Sequence, residues 1–320
     1  MLQIFPMNNP SVTPFAPHIG PWKLLIISLV GSLLGFQLIG VFIGALVALP
    51  FYEGSAIDLF TAMADPVNNP TVKIPLMITQ GVGSAFGMIL VPWLMYKVVF
   101  KIPLNFEQSK VALQPVMLTF LITLFFMVVN SPIGEWNQQI KLPEAFSGIE
   151  VALQLMEENM KVITEFLIDF DSFGSFLLGI LVIAVIPAIG EELVFRGLIQ
   201  NHLVRITKNI HVAIWVAAFI FGAIHMQFYG LFPRMMLGVL FGYLYYFSGK
   251  LSYAMIAHFF NNGIAVVAVY MHQLGKIEYD IEANESILWY QVLISALVLI
   301  LLLFAFEKTA KKGGKFEQMV

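Results

Sequence analysis

Long apolar runs alternate with short polar segments along most of the chain, and their lengths are those of membrane-spanning helices. A helix needs about 20 apolar residues to cross the hydrocarbon core of a bilayer. Eight segments qualify, although the third and sixth are short or weakly bounded and a count of seven stays open. They cover residues 22–51, 74–99, 111–130, 173–205, 210–228, 235–247, 251–271 and 287–306. The pattern predicts an all-α membrane protein, a polytopic bundle of about eight transmembrane helices.

The composition supports this class and excludes several others. Hydrophobic residues make up 59% of the 320 residues and charged residues only 12%, whereas a soluble domain averages about 25% charged residues. The chain has no cysteine, which excludes disulfides, a thiol nucleophile and thiolate metal ligands. The first 21 residues hold five prolines and neither Lys nor Arg, so a flexible tail is expected there instead of a cleaved signal peptide. We expect membrane lipid around the bundle and no nucleic-acid partner.

Basic residues collect on alternate loops, and this distribution predicts an orientation. Cytoplasmic loops of membrane proteins are enriched in Lys and Arg, so the richer set is assigned to the cytoplasm. Eight spans then place both termini in the cytoplasm of a cell membrane. We favour a bacterial plasma membrane and leave the endoplasmic reticulum open. The cytoplasmic set is Lys23, Lys97, Lys101, Lys110, Arg205, Lys208, Lys250, Lys308, Lys311, Lys312 and Lys315; the other side has Lys73, Lys141, Lys161, Arg234 and Lys276 with most acids.

The one long loop, residues 131–172, contains an amphipathic stretch. Six apolar residues recur at helical spacing on one face, opposite a mainly acidic face. A surface helix lying on the bundle is the simpler interpretation, and a lid or substrate-docking element is the alternative. The apolar positions are Ile149, Leu153, Met156, Met160, Ile163 and Leu167.

Ionisable residues occur inside three of the apolar segments. Glu191, Glu192 and Arg196 follow the apolar run that begins at Phe176, His225 lies in the next segment, and His258 lies with Asn262 in the seventh. Charged groups at membrane depth are costly and need partners, so they mark functional sites. Four other histidines fall near segment ends and are expected to be solvated: His18, His202, His211 and His272.

Helical spacing predicts how these groups meet. Glu191 lies 17 residues before Lys208 and His225 lies 17 residues after it. At about 1.5 Å per residue, both are roughly 25 Å from the turn of a helical hairpin, at one depth. Glu192 and Arg196 are four apart and are expected to form an ion pair, as His258 and Asn262 are expected to share one face. Pro187 should kink the helix beside Glu191.

Such a set can activate water against a carbonyl group. Burial turns a carboxylate into a usable base, a histidine beside it shares the proton, and a second histidine with an amide can stabilise an oxyanion. Zinc held by Glu191, His225 and His258 is the alternative, although no His-Glu-x-x-His helix is present. The chain has neither a Gly-x-Ser-Gly segment nor a pair of membrane aspartates, which disfavours serine-type and aspartate-type cleavage.

Three motifs in this order resemble the CPBP family, the CAAX-protease and bacteriocin-processing group also called Abi. They are Glu191-Glu192-x-x-x-Arg196, Phe221-x-x-x-His225 and His258-x-x-x-Asn262. The resemblance covers about residues 174–269 and implies the fold of the type II CAAX prenyl endopeptidase. It implies that Glu191 activates water with help from His225 and that His258 and Asn262 form the oxyanion pocket. Glu192 and Arg196 would be supporting residues. Both zinc-dependent and metal-free mechanisms have been discussed for the family, and we favour the latter, with no cofactor.

These observations predict an intramembrane endopeptidase that acts on a peptide or protein substrate. Residues 1–172 would hold three spans and the acidic loop, residues 173–271 the catalytic core, and residues 272–320 the final span and a basic tail. A scaffold or bacteriocin-immunity protein of the same fold is the first alternative. A proton-coupled transporter is the second, although such proteins more often carry paired repeats.

Overall fold

The computed structural model describes residues 19–101, 111–278 and 287–310. These residues form ten helices and no strand. The tail that includes His18, and the lysines Lys110, Lys311, Lys312 and Lys315, lie outside the described residues. The helices are α1 (Pro21–Phe51), α2 (Ala56–Ala64), α3 (Pro70–Val99), α4 (Leu113–Gln138), α5 (Ser147–Ile168), α6 (Phe173–Thr207), α7 (Ile210–Ala223), α8 (Leu231–Ser248), α9 (Leu251–Gln273) and α10 (Trp289–Ala310).

Six of these helices are long and apolar enough to cross a membrane: α1, α3, α4, α6, α9 and α10. The protein is therefore a multi-pass helical membrane protein. The other two predicted segments are also helical, but α7 has only 14 residues and α8 does not reach the same apolarity over its 18 residues. The described residues contain six candidate spans, and the count of eight stays a prediction.

Three predicted boundaries are wrong, and two of them involve a proline. Helix α4 continues beyond residue 130 through Pro132, which membrane helices tolerate when neighbours satisfy the freed backbone groups. Helix α8 begins at Leu231, because a proline in the first turn lacks only an N–H that has no helical partner there. Arg234 therefore belongs to α8 and not to a loop. The predicted segment 210–228 ends earlier, at Ala223.

Helix α6 is the central element of the bundle. It packs against α1, α3, α7, α8 and α9, while α10 packs on α4 and α7 forms a tight hairpin with α8. The α1–α3 contact is made by small residues. A Cβ atom on Gly44 would lie 2.9 Å from the Cα atom of Thr79, and one on Gly83 would lie 3.2 Å from the backbone of Gly40. Small residues allow membrane helices to approach closely.

The amphipathic helix predicted in the long loop is present as α5. Its apolar face packs on the bundle only near its C-terminal end, where Leu167 is buried, whereas Ile149 and Met160 are exposed. Helix α5 contacts α3, α6 and α9 and the segment before α8. Just beyond α5, Asp169 pairs with Lys73 at the start of α3, with 3.1 Å between Nζ and Oδ2. Segments predicted to share the extracytoplasmic side therefore meet at one end of the bundle.

One histidine predicted to be solvated is fully buried. His202 in α6 is 0% exposed and its Nε2 atom is hydrogen-bonded to the Tyr96 hydroxyl of α3. That hydroxyl also lies 2.7 Å from the Ser28 hydroxyl of α1. A position close to the end of a span did not imply exposure, because α1 and α3 cover this part of α6.

Candidate active site

The two glutamates lie on a short α-helical stretch of α6 between two wider, π-helical segments. The stretch is Ile186–Glu192, and the π-helical segments are Ile180–Val185 and Leu193–Gln200. Pro187 opens the stretch and lacks the N–H that a regular helix would direct at the carbonyl of Ile183. The chain accommodates this proline by widening the preceding turns, without interrupting α6. Such π-helical insertions recur at functional sites.

The predicted ion pair between Glu192 and Arg196 is confirmed. Arg196 Nη1 donates to Glu192 Oε1 at 2.8 Å, with the two side chains 1% and 0% exposed. Arg196 Nη2 donates to the carbonyl of Gly238 at 2.9 Å, which ties α6 to α8. The guanidinium also lies 4.6 Å from the ring of Phe221 and 5.4 Å from that of Phe241. Aromatic faces attract cations, so the buried charge is held from several sides.

The contact with Gly238 depends on its missing side chain. A Cβ atom there would lie 3.1 Å from Arg196 Nη2 and 3.0 Å from Ala218 of α7. Gly242, one turn further along α8, approaches Ile214 of α7 in the same way. These two glycines bring α7 and α8 close enough for Arg196 to reach the α8 backbone.

His258 lies between the two glutamates. Its Nδ1 atom is 2.8 Å from Glu192 Oε1, and its Nε2 atom is 3.8 Å from Glu191 Oε2. Because an ionised carboxylate can only accept, Nδ1 carries the hydrogen, and Nε2 is the ring nitrogen that faces Glu191. The ring stacks on Phe241 at 5.0 Å. The Glu191 side chain is 13% exposed whereas that of Glu192 is fully buried, so Glu191 is the carboxylate that a water molecule can reach.

The predicted segment 210–228 had placed His225 within a helix. In the structure it lies just beyond the C-terminal end of α7. Its Nδ1 atom is 2.8 Å from the carbonyl of Phe221. This side chain satisfies one of the carbonyls that a helix end leaves without a backbone donor. Nδ1 must carry the hydrogen there, so Nε2 is left as an acceptor.

The α6–α7 register brings His225 to the depth of Glu191. The rings of Phe195 and Phe221 are in contact at 5.2 Å. Glu191 lies four residues before Phe195 on α6, and His225 lies four residues after Phe221. Because α6 and α7 run antiparallel, both steps go in the same direction and place Glu191 opposite His225. Glu191 and His258 both act electrostatically on His225. The hairpin argument from the sequence therefore agrees with the structure, although the helix ends before the histidine.

Asn262 shares one face of α9 with His258, as predicted, and both side chains contact α6. Asn262 Nδ2 donates to the carbonyl of Ile183 at 3.0 Å, the carbonyl that Pro187 cannot serve. Its Oδ1 atom accepts from Asn261 Nδ2 at 3.0 Å. These two bonds fix the amide and leave one N–H of Asn262 for a further acceptor.

Sequence reasoning missed a polar rim around the segment between α7 and α8. Asn137 Nδ2 of α4 donates to the carbonyl of Phe228 at 3.0 Å, and its Oδ1 accepts from the N–H of Phe232 at 2.9 Å. Asn130 Nδ2 donates to the carbonyl of Pro233 at 3.1 Å. The signal was available, because Asn130 and Asn137 lie seven residues apart, on one face of an otherwise apolar helix.

The donor set does not resemble a metal site. Within the described parts of the chain, no group of three or more His, Asp or Glu side chains is arranged to hold a metal ion. Of the ligands considered for zinc, His225 directs Nδ1 at its own helix and His258 directs Nδ1 at Glu192, so only their Nε2 atoms and Glu191 could reach an ion. The described arrangement does not bring these three into one group that fits zinc.

A comparison with protein families identifies the part of the chain that holds these residues. The type II CAAX prenyl endopeptidase Rce1-like family matches residues 173–264. Residues 173–264 form an Rce1-like domain. It begins with α6 and ends two residues after Asn262, so all three motifs fall within it. The resemblance inferred from the motifs is thereby confirmed, and family membership suggests an intramembrane protease.

The match to a curated relative covers only a part of each of the two chains. The uncharacterized protein YpbD of Bacillus subtilis (strain 168) is 24% identical over 113 residues, which are 33% of this chain and 55% of the relative. The chain thus spans about half the length of this relative. No solved structure matches the chain. The Rce1-like domain is therefore the part of the protein to which family knowledge applies.

Proposed function

We propose that the protein is an intramembrane endopeptidase that hydrolyses a peptide bond of a peptide or protein substrate with a water molecule activated by Glu191. The observation that supports this most is the chain of contacts Arg196–Glu192–His258–Glu191 inside the Rce1-like domain. A purely structural ion pair would need only Arg196 and Glu192. A second carboxylate, partly accessible and directed at the second nitrogen of an oriented histidine, is an arrangement that can accept and pass on a proton.

Glu191 is proposed as the general base, with His225 beside it. The carboxylate removes a proton from water as the water oxygen attacks the substrate carbonyl carbon. Nδ1 of His225 is engaged by the Phe221 carbonyl, so Nε2 is the nitrogen that can accept a hydrogen bond from the same water. The water would therefore donate hydrogen bonds to two acceptors at one depth, the Glu191 carboxylate and His225 Nε2. The two bonds position the water as well as activate it.

His258 and Asn262 are proposed as the oxyanion pocket. Asn262 has one N–H left for the developing negative oxygen. In its neutral form, with the hydrogen on Nδ1, the His258 ring becomes a donor at Nε2 only after it takes the proton from Glu191. The imidazolium can then stabilise the oxyanion and deliver the proton to the leaving amine as the C–N bond breaks. Glu192 and Arg196 support the step by holding Nδ1.

Substitution of Glu191 tests the proposal. Removal of a general base typically costs about 100- to 10,000-fold in rate, so we expect Glu191→Gln to abolish detectable cleavage of a mixed peptide library analysed by mass spectrometry. Glu192→Gln should cost less, because the amide oxygen of the introduced side chain can still accept from His258. The gel-filtration profile in detergent checks that each variant is folded. Near wild-type cleavage by folded Glu191→Gln would remove Glu191 as the base, and a wild-type protein without any cleavage would favour a scaffold or immunity role.

Metal analysis tests the zinc alternative. We expect purified active protein to contain no stoichiometric zinc, since Glu191, His225 and His258 are not grouped as metal ligands in the described parts of the chain. Elemental analysis of wild type and of His258→Ala provides the measurement. One tightly held zinc ion per chain, lost together with activity in His258→Ala, would replace the metal-free mechanism with a metal-dependent one.

A further inference from the structure

An arginine at the rim of the site has no carboxylate bound to its guanidinium among the described residues. Arg234 lies in the first turn of α8, and its Nη2 atom donates to Gln227 Oε1 at 2.7 Å. Its Nη1 atom is buried and has no hydrogen-bond acceptor in the described part of the chain. By contrast, Arg196 in the neighbouring helix has a carboxylate at 2.8 Å. Buried arginine groups are normally paired, so the unused donor of Arg234 needs an explanation.

The surroundings of Arg234 connect the site to the amphipathic helix α5. Gln227 Nε2 donates to Glu157 Oε1 of α5 at 3.1 Å, and the N–H of Tyr229 donates to Glu157 Oε2 at 3.3 Å. Glu157 and Glu191 both act electrostatically on Arg234 from a distance. Gln227 therefore bridges Arg234 to α5, and the guanidinium is near enough to the proposed base for the two charges to interact.

The backbone around Arg234 is shaped to admit its guanidinium. Nη1 lies directly against Gly230, and a side chain there would overlap it. The neighbouring carbonyl of Pro233 is fixed by Asn130. Gln227 fixes only one of the two terminal nitrogens. The guanidinium is thus positioned but not saturated, and the side chain is partly exposed.

We propose that Arg234 binds a carboxylate of the substrate and thereby positions the chain for attack beside Glu191. This inference rests on the proposed function and extends it to substrate selection. A guanidinium is suited to carboxylates because its planar donors match both oxygens. A small displacement of Nη1 from Gly230 would let it bind a carboxylate oxygen. The carboxylate comes either from the free C-terminus of the substrate or from an acidic side chain near the cleaved bond.

A binding experiment on an inactive protein tests the proposal without requiring turnover. Three fluorescent pentapeptides of Ala and Leu serve as probes: one with a free C-terminal carboxylate, one with a C-terminal amide, and one amide with Glu before the last residue. Affinity is measured by anisotropy with Glu191→Gln and with Glu191→Gln/Arg234→Gln in detergent. We expect the free acid to bind about tenfold more tightly than the amide to the first protein, because a charged hydrogen bond is lost in the amide. The acid-to-amide ratio should fall to about one in the second protein.

Two further variants separate the binding site from a general charge effect. Lys161→Gln removes a positive charge from α5, where Lys161 is 43% exposed and lies near Glu165, so the ratio should stay unchanged. Gly230→Ala keeps every charge and forces Nη1 away from the backbone, the displacement that carboxylate binding requires, so the ratio should be kept or should rise. Tight binding of the probe with the internal Glu would identify a side chain as a sufficient source of the carboxylate. Tight binding of the free acid alone would identify the C-terminus.

The proposal and the proposed function fail in different measurements. Equal binding of acid and amide, a ratio that survives Arg234→Gln, or no binding of any probe would overturn the carboxylate site. The absence of cleavage by wild-type protein would overturn the endopeptidase and leave the binding result intact. If a probe is cleaved, Arg234→Gln should raise KM for the free acid with little change in kcat.

Discussion

Asn262 stabilises two helices at the point where a proline weakens one of them. Pro187 cannot donate to the carbonyl of Ile183, and the Asn262 amide donates to that carbonyl from α9 at 3.0 Å. An unsatisfied carbonyl inside a membrane costs several kcal/mol, so this bond joins α9 to α6 beside Glu191. The same amide has one N–H left for the substrate. A residue can therefore orient the site and act in it at the same time.

Asn262→Ala should lower the cleavage rate less than Glu191→Gln, so that residual cleavage is still measurable. Loss of one oxyanion donor typically costs about 100- to 1,000-fold in rate. We expect kcat to fall by that order with little change in substrate affinity, measured by steady-state kinetics on folded protein. The midpoint temperature of thermal unfolding should also fall, because the Ile183 carbonyl loses its hydrogen-bond donor.

Asn261→Ala is the matched control for this prediction. It removes the bond to Asn262 Oδ1 but keeps the amide itself, so kcat should fall by much less. Equal losses in the two variants would argue that Asn262 acts only through helix packing and not on the oxyanion.

Local spacing predicted those contacts that occur within one helix. Glu192 and Arg196 pair because they are four residues apart, and His258 and Asn262 share a face for the same reason. The contact of His258 with Glu192 crosses 66 residues and needs the α6–α9 packing, which no spacing reveals. His202 was misjudged for the same reason, since its burial depends on α1 and α3.

At the scale of elements, hydrophobic length predicted the existence of the helices better than it predicted their ends. All eight apolar segments are helical, but Pro132 lies within α4 and Pro233 lies within the first turn of α8. The hydrophobic pattern depends on residues that face lipid or core along a whole helix. A proline affects one hydrogen bond, which a first turn never makes and a neighbouring helix can replace.

The close approach of α1 and α3 predicts a strong effect of a single methyl group. A Cβ atom on Gly44 would lie 2.9 Å from the Cα atom of Thr79, and backbone cannot yield as a side-chain tip can. Gly44→Ala should destabilise the protein by about 1–3 kcal/mol, the usual cost of overpacking. The measurement is thermal unfolding in detergent, where the midpoint should fall by several degrees.

Gly148 provides the matched control for that substitution. It lies in the first turn of α5, and a Cβ atom there would meet nothing within 4 Å. Gly148→Ala should leave the midpoint unchanged or raise it slightly, because alanine is the better helix former. If Gly44→Ala also left it unchanged, α1 and α3 would not pack as closely as described.

At the scale of the whole molecule, contacts between distant segments agree with the loops assigned from charge. Lys73, Asp169 and Gln273 belong to three segments predicted on the extracytoplasmic side, and they meet through the Lys73–Asp169 pair and through Gln273 Nε2, which donates to the carbonyl of Ile168 at 3.0 Å. Their meeting at one end requires that the helices between them run in compatible directions. The excess of Lys and Arg on the opposite loops predicts that the other end faces the cytoplasm.

Labelling of single cysteines decides which end faces the cytoplasm, and the natural chain has no cysteine to interfere. Exposed positions at both ends are available: Glu53, Glu144 and Lys276 at the predicted extracytoplasmic end, and His211 and Lys308 at the predicted cytoplasmic end. In intact cells, an impermeant maleimide should modify cysteine at the first three positions and not at the last two, whereas permeabilised cells should be labelled at all five. Because α5 and Arg234 lie at the end marked by Glu144, this result also fixes the side from which a substrate carboxylate would reach the site. Labelling of His211→Cys from outside would reverse the orientation and place that rim in the cytoplasm.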